Sequence, residues 1–183
     1  MELRIADIEE VAGRIIIESG LDFLTIDELS SKMGINTSLL ISFFERDDDI
    51  LMLLLASLEY DIKQLILKNK LAERPPEEDL QILFQNIYEL IKVKPYYLPV
   101  IFFVEIKEKD SELQKALLRI KIFVRIYLLE VINNGKKVTV FKTRQRSRKL
   151  VTNILGSFRS FMNEQRLINN MVRDLEILKV SND

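Results

Sequence analysis

GINTSLLISFFERDDDI, residues 34–50, decides the fold. Gly34 marks a turn, and Asn36, Thr37 or Ser38 supplies the short polar side chain that caps a helix start. A short helix of about 37–45 follows, and Asp47 to Asp49 then sit where the next helix N-terminus favours negative charge. Two helices about a glycine turn have the outline of a helix-turn-helix. The charge is unusual for one, because Arg46 stands against Glu45, Asp47, Asp48 and Asp49.

Upstream, Thr25-Ile26-Asp27-Glu28 reads as a capping box that starts a helix of about 26–33, which Gly34 ends. Before it, Leu3, Ile5, Ile8, Val11, Ala12, Ile15 and Ile16 recur near helical spacing over residues 3–18, and Ser19-Gly20 stops that helix. Downstream, a fourth helix starts at the aspartates and runs to about Lys70. Glu73-Arg74-Pro75-Pro76-Glu77-Glu78-Asp79 is a linker whose prolines halt one helix and open a fifth, about 77–93. Pro95 and Pro99 flank the start of a sixth, reaching about Lys107. Ser111-Glu112-Leu113-Gln114 is a second capping box, and the apolar period from Leu117 to Val131 carries helix seven to Asn133 or Asn134, with Gly135 as its stop. Residues 136–143 read as a loop, and helices eight and nine fall at about 144–162 and 164–179.

The totals agree with this all-α reading of about nine helices. The 183 residues are 48% hydrophobic and hold only five Gly and four Pro, too little turn chemistry for a sandwich or barrel. With neither Cys nor His, zinc fingers, thiol nucleophiles, Ser-His-Asp triads and most transition-metal sites are excluded, so no metal, no cofactor and no enzymatic activity are expected. The N-terminus lacks the apolar core of a signal peptide, and the longest apolar run, Ile50 to Ala56, is far too short to span a bilayer. These features lead to the expectation of a soluble cytoplasmic protein without a membrane span.

Charge separates along the chain. Residues 1–50 carry four basic side chains against twelve acidic ones, −8 in all; the remainder carries 23 against 16, or +7. Between Glu130 and Glu164 there are eight basic residues and no acid. A solvated face is the ordinary explanation of such a run; pairing with the acidic N-terminal part, or attraction of an anionic partner, are the functional ones.

Three short helices with a glycine turn before the third, a long fourth helix and a set of amphipathic helices resemble the tetracycline-repressor (TetR) family over the whole chain. The residues carrying the resemblance are Ala12, Gly20, Thr25-Ile26-Asp27-Glu28-Leu29, Gly34-Ile35, Leu40, Phe43-Phe44 and the acidic start of helix four before Ile50. The resemblance implies a helix-turn-helix DNA-binding domain at 1–46, a ligand-binding and dimerisation domain at 47–183, and a homodimer placing two reading helices in successive major grooves. It also marks departures: the family usually has Tyr at the position of Ile41, a small hydroxyl residue at Leu39, and a phosphate-contacting Lys at Asp47.

Helical geometry raises the same question about DNA. At 100° per residue Leu40, Phe43 and Phe44 cluster on one side and are expected in the core, leaving Ser38, Ile41, Ser42 and Glu45 outward and Leu39 on the flank. Base edges are read best by Arg, Lys, Asn and Gln, and affinity comes mainly from cations on phosphates. Here the candidate DNA contacts are Asn36, Thr37, Ser38 and Ser42, with Thr25 and the N–H groups of helix two for a phosphate. Alternatively, Leu39 and Ile41 belong to a surface that binds another protein.

Eleven of the fifteen Phe and Tyr residues lie after residue 80. Most are core residues by expectation. Tyr88, Phe102, Phe103, Phe123, Tyr127 and Phe158 are candidates for lining a cup that takes a small, apolar ligand. Val151, Ile154 and Leu155 of helix eight, with the Leu167, Met171, Leu175 and Leu178 stripe of helix nine, form the dimer interface that the resemblance implies. Two functions stand side by side: a ligand-responsive DNA-binding regulator, or a scaffold of the same build that has lost DNA recognition and binds a protein or ligand.

Overall fold

Several of the helices start where a side chain or a proline disposes of orphan backbone donors. The computed structural model describes residues 4–106 and 111–156. Among these there are eight α-helices and one turn of 3-10 helix, and no strand. The helices are α1 Ile5–Ser19, α2 Ile26–Met33, α3 Thr37–Ile41, α4 Asp47–Leu71, α5 Pro76–Val93, α6 Tyr97–Ile106, α7 Glu112–Lys137 and α8 Ser147–Gly156. The ninth helix of the sequence reading lies outside the described residues. So do Phe158, Leu167, Met171, Leu175 and Leu178.

Two compact units share the chain. Unit one takes Met1–Asp61 and Leu90–Ile120, unit two Ile62–Glu89 and Lys121–Asp183, in each case as far as the described residues reach. In unit one, α1 packs on α2 and α2 on α3, burying Ala12, Ile15, Leu29 and Leu40 completely or nearly so. Tyr97, Val100 and Val104 of α6 are buried in the same unit. The core of unit two includes Ile66, Leu80, Leu83, Leu128 and Val151.

The turn that opened the reading has a definite mechanism. Gly34 adopts left-handed φ 65°, ψ 33°, so its own N–H reaches Ser31 O at 3.2 Å and the Ile35 N–H reaches Ser30 O at 3.1 Å. Only a residue without a Cβ enters that region at no cost, and two terminal carbonyls of α2 are satisfied as a result.

Three expectations need correction. Helix α3 ends at Ile41, not near residue 45, because the Glu45 and Arg46 N–H groups both donate to Asp49 Oδ2 at 2.8 Å and turn the backbone into α4. The phase extrapolated along α3 is therefore lost, and Phe43 is 60% exposed while Leu40 and Phe44 are buried as expected.

Gly135 does not stop α7, which runs on to Lys137. Its lack of a side chain serves packing instead: a Cβ there would lie 2.2 Å from the Phe141 ring. The left-handed residue beyond the helix is Thr139, at φ 61°. Helix α8 begins at Ser147, three residues later than the sequence suggested.

The first capping box forms by half, and the second holds its serine cap. Thr25 Oγ1 accepts from the Glu28 N–H at 3.1 Å, but the Thr25 N–H goes to Phe23 O rather than to the Glu28 carboxylate. Ser111 Oγ accepts from the Gln114 N–H at 3.2 Å, and Gln114 Nε2 donates to the Val104 and Glu105 carbonyls in the last turn of α6.

Candidate functional site

The candidate DNA-contacting residues sit together on the head, with much of their hydrogen-bonding capacity already used. Asn36 Oδ1 caps α3 by accepting from the Ser38 N–H at 2.8 Å. The Thr37 hydroxyl lies 2.8 Å from that of buried Ser30, and Ser42 Oγ donates to Leu39 O at 2.7 Å. Thr25 is held in its own cap. Around them the surface is apolar: Leu39, Ile41 and Phe43 are 43%, 57% and 60% exposed.

Charge around this face is offset locally. Lys32 lies 3.9 Å from Glu18 and 4.0 Å from Glu28, and Arg46 lies 3.8 Å from Asp49. Asp47, at the position where the resemblance implies a phosphate-contacting lysine, places Oδ1 2.8 Å from the Ile26 N–H. A carboxylate of this chain thus accepts from the first amide of α2, and it ties the start of α4 to the start of α2. Sequence spacing gives no sign of this bond, whose partners are 21 residues apart.

A second polar cluster in unit one joins α1, α4 and the start of α6. Lys94 Nζ lies 2.8 Å from both Glu9 Oε1 and Asp61 Oδ2. The Tyr96 hydroxyl donates to Glu9 Oε1 at 2.7 Å, and the Tyr97 hydroxyl donates to Asp61 Oδ2 at the same distance. Burial alone would lower the Lys94 ammonium, but its bonds to Asp61 and Glu9 outweigh that and raise it above its usual value. Burial would likewise raise the Glu9 carboxyl, yet the hydrogen bonds from Lys94 and Tyr96 bring it below the usual range. Burial first, and the adjoining carboxylates second, push both tyrosine hydroxyls well up. Gly13 of α1 is required beside this cluster, since a Cβ would lie 2.4 Å from the Tyr96 ring.

In unit two there is a cavity of about 600 Å³ whose wall includes Asn69, Lys70, Arg74, Asp79, Tyr127 and Glu130. The Tyr127 hydroxyl donates to Asp79 Oδ2 at 2.6 Å, and Lys70 pairs with Glu130 at 2.6 Å. Burial and then the bond to Asp79 push the Tyr127 hydroxyl up.

Of the aromatic candidates, Tyr127 therefore lines a cavity, and that cavity is polar. Phe102 and Phe103 are half-buried on α6 in unit one; Tyr88 and Phe123 are half-buried in unit two, Phe123 with Lys63 Nζ 5.8 Å above its ring. Val151 is fully buried within its own chain, and Ile154 and Leu155 are half-buried.

Among the described residues there is no group of three or more acidic side chains able to hold a metal ion. No helix among them is long and apolar enough to cross a membrane.

A three-helix head with a left-handed glycine turn, followed in sequence by long amphipathic helices, defines a helix-turn-helix protein of all-α build. Its fold is that of the TetR/AcrR transcriptional regulators, as solved structures show. The chain is similar to the fatty acid degradation regulator FadR from Bacillus halodurans, at 15% identity, TM-score 0.75, covering 98% of this chain and 96% of that one. It is similar to the ketosteroid transcriptional regulator KstR2 of Mycobacterium tuberculosis, at 16% identity, TM-score 0.77, covering 98% and 94%. A TetR/AcrR-family regulator from Thermobifida fusca matches at 15% identity and TM-score 0.72 over 98% of both chains. No protein-family model matches the sequence, and no curated protein does.

Proposed function

We propose that the chain is a transcriptional regulator of TetR type, a homodimer whose heads bind DNA and whose helical body binds a small effector. The observation that carries this reading is the intact head: Gly34 in its left-handed turn and Thr25 and Asn36 as working caps, within a fold shared end to end with proteins described as regulators. An effector that favours one spacing of the two heads changes DNA affinity by its differential affinity for the two states. Because the head has few free cations, the DNA contacts are mostly neutral hydrogen bonds from Ser38, Ser42, Asn36 and backbone amides. Binding is therefore weak at physiological salt, and the salt slope falls below that of a protein making 6–10 phosphate contacts, where each is worth about 0.9. Selection from random duplexes by the purified protein at low salt tests it. An enriched palindromic site, lost when Ser38 and Ser42 are both replaced by Ala, supports the proposal; no enrichment and no more bulk DNA binding than an unrelated acidic protein shows would reject it.

A second reading has its own observation, the exposure of Leu39 and Ile41 on α3, the helix that would read bases, and of Phe43 just beyond its end. Apolar side chains clustered at an exposed face favour a protein contact over DNA. In this reading the head has given up sequence recognition and docks a protein. Replacing Leu39 and Ile41 by Asp then removes a co-purifying partner without changing the melting temperature; an unchanged set of partners counts against it.

A further inference from the structure

The segment joining α7 to α8 carries the chain's surplus of positive charge on an ordered frame. Beyond Lys137 the backbone turns sharply. Thr139 takes left-handed φ 61°, the Val140 and Phe141 N–H groups donate to Gly135 O at 2.9 and 3.1 Å, and the buried Phe141 ring lies over Gly135. Lys136 Nζ donates to Gln145 O, and Thr143 Oγ1 accepts from the Gln145 N–H at 3.1 Å, which ties the segment down almost to the start of α8. On this frame Lys137, Arg144, Arg146, Arg148 and Lys149 are exposed, and among the described residues none of the five side chains is in an ion pair or a hydrogen bond.

Elsewhere the chain treats its cations differently. Nine others in the described residues lie within ion-pair distance of a carboxylate. In the described part of unit one eight basic side chains stand against fifteen acids, −7; in that of unit two thirteen stand against six, +7. No acid follows Glu130 before Glu164, and Glu130 is itself held by Lys70. Five like charges within residues 137–149 repel one another, and a polyanion relieves that repulsion.

We infer that this face of unit two binds the phosphodiester backbone of a nucleic acid without regard to sequence. Three of its five cations are Arg, whose planar fork meets a phosphate through two parallel N–H···O bonds. Exposed Asn133, Asn134 and Gln145 add neutral donors of the kind that also reach phosphate oxygens. A lipid surface fits less well, because it needs an apolar face beside the cations, and Val138 is the single large apolar side chain exposed between Lys136 and Val151. A docking protein finds no aromatic anchor there either, since Phe141 is buried. The acidic head of a second copy is a poor partner because Asp47, Asp49, Glu18, Glu28 and Glu9 are already engaged within it. The inference goes beyond the regulator reading and needs no recognition by the head.

The test is fluorescence anisotropy of the full chain with two labelled probes, a non-palindromic DNA duplex and a single-stranded RNA, over a salt series. With all five cations on phosphates, log K falls with log salt by about 4.5 for the duplex, at about 0.9 per contact, and by about 3.5 for the single strand, at about 0.7. The duplex therefore loses affinity about 500-fold between about 50 and 200 mM salt. Replacing Arg144, Arg146 and Arg148 together by Gln takes about 2.7 from the duplex slope and at least about tenfold from the low-salt affinity, whereas replacing them by Lys keeps the slope. All three side chains are exposed, so the melting temperature is unchanged; if it falls, Lys149→Gln alone, expected to take about 0.9 from the slope, decides the matter. The tighter of the two probes identifies the kind of nucleic acid. No binding of either probe at the lowest salt overturns the inference, as does binding that the Gln variant retains. Capture by phosphatidylserine vesicles, or salt-reversible self-association, in place of nucleic-acid binding overturns it too. Replacing Ser38 and Ser42 by Ala leaves this binding unchanged but abolishes a palindromic enrichment, so the failure of either reading is visible apart from the other.

Discussion

Replacing Lys94 by Met tests the polar cluster of unit one most directly. Met keeps the length and the apolar stem of Lys but removes the charge, leaving Glu9 and Asp61 facing Tyr96 and Tyr97 without their cation. In the folded chain Lys94 Nζ is 2.8 Å from each carboxylate, and the side chains of Lys94, Glu9 and Asp61 are only 27%, 13% and 22% exposed. Removing one member of a fully buried pair typically costs about 3–5 kcal/mol; the residual exposure here screens part of that, so about 2–3 kcal/mol is expected near pH 7.

The pH dependence follows from the directions of the shifts. Lys94 is raised in the folded chain, so its contribution is complete below its ordinary 10.5 and is lost only as pH rises through the higher folded value. Glu9 is lowered, so its contribution is complete above its ordinary 4.5 and is lost as pH falls through the lower folded value. The deficit of Lys94→Met is therefore largest between those limits and shrinks on acidification, as Glu9 takes up a proton and no longer needs a cation. Urea unfolding of both proteins at about pH 7 and about pH 4 measures it. A deficit below about 1 kcal/mol at neutral pH, or one that does not narrow in acid, refutes the account of the cluster.

Other predictions concern the head and the end of α7. Gly135→Ala gains helix propensity of about 1 kcal/mol but drives a methyl into the Phe141 ring, for a net loss of about 1–2 kcal/mol in thermal unfolding; adding Phe141→Leu recovers part of it, since the two sites are coupled. Asp47→Ala removes the acceptor of the Ile26 N–H and lowers stability by about 1 kcal/mol, with faster hydrogen exchange at that amide as the local readout. Asp47→Lys changes residues 1–50 from −8 to −6 and supplies the cation the family resemblance implies, so DNA affinity at low salt rises and the salt slope steepens by about 1.8 for a dimer. An unchanged slope would show that the start of α4 does not approach a phosphate.

What could be read from the sequence was local in origin. Thr25, Asn36 and Ser111 cap within three residues of themselves, Gly34 turns within its own helix end, and Pro76 with Glu77, Glu78 and Asp79 sets the start of α5, so composition and spacing carry the information. The failures have a common cause. A helical phase carried past the point where Asp49 captures two amides puts Phe43 wrongly in the core. Glycine has two uses, helix stop and close packing, and spacing alone does not separate them at Gly135, because the ring it accommodates belongs to Phe141, beyond the helix. The Lys94 cluster joins residues separated by 33 and 85 positions, and the cavity joins Asn69 and Asp79 to Tyr127 of another helix. No periodicity within one helix encodes such pairs.

The acidity of the head then acquires a structural meaning that net charge alone does not convey. Of its acids, Asp47 and Asp49 accept backbone N–H groups at the start of α2 and at the entry to α4, Glu18 and Glu28 lie beside Lys32, and Glu9 is half of the Lys94 cluster. Asp47 and Asp49 satisfy donors that would otherwise be orphaned at helix ends, and they act from positions close to a helix N-terminus where negative charge is favoured. Stabilising the trihelical head and attracting a polyanion are thus opposed requirements at the same amides. A head that meets the first with its own carboxylates approaches DNA only by exchanging them for phosphate oxygens, and this exchange is the step at which its two proposed functions diverge.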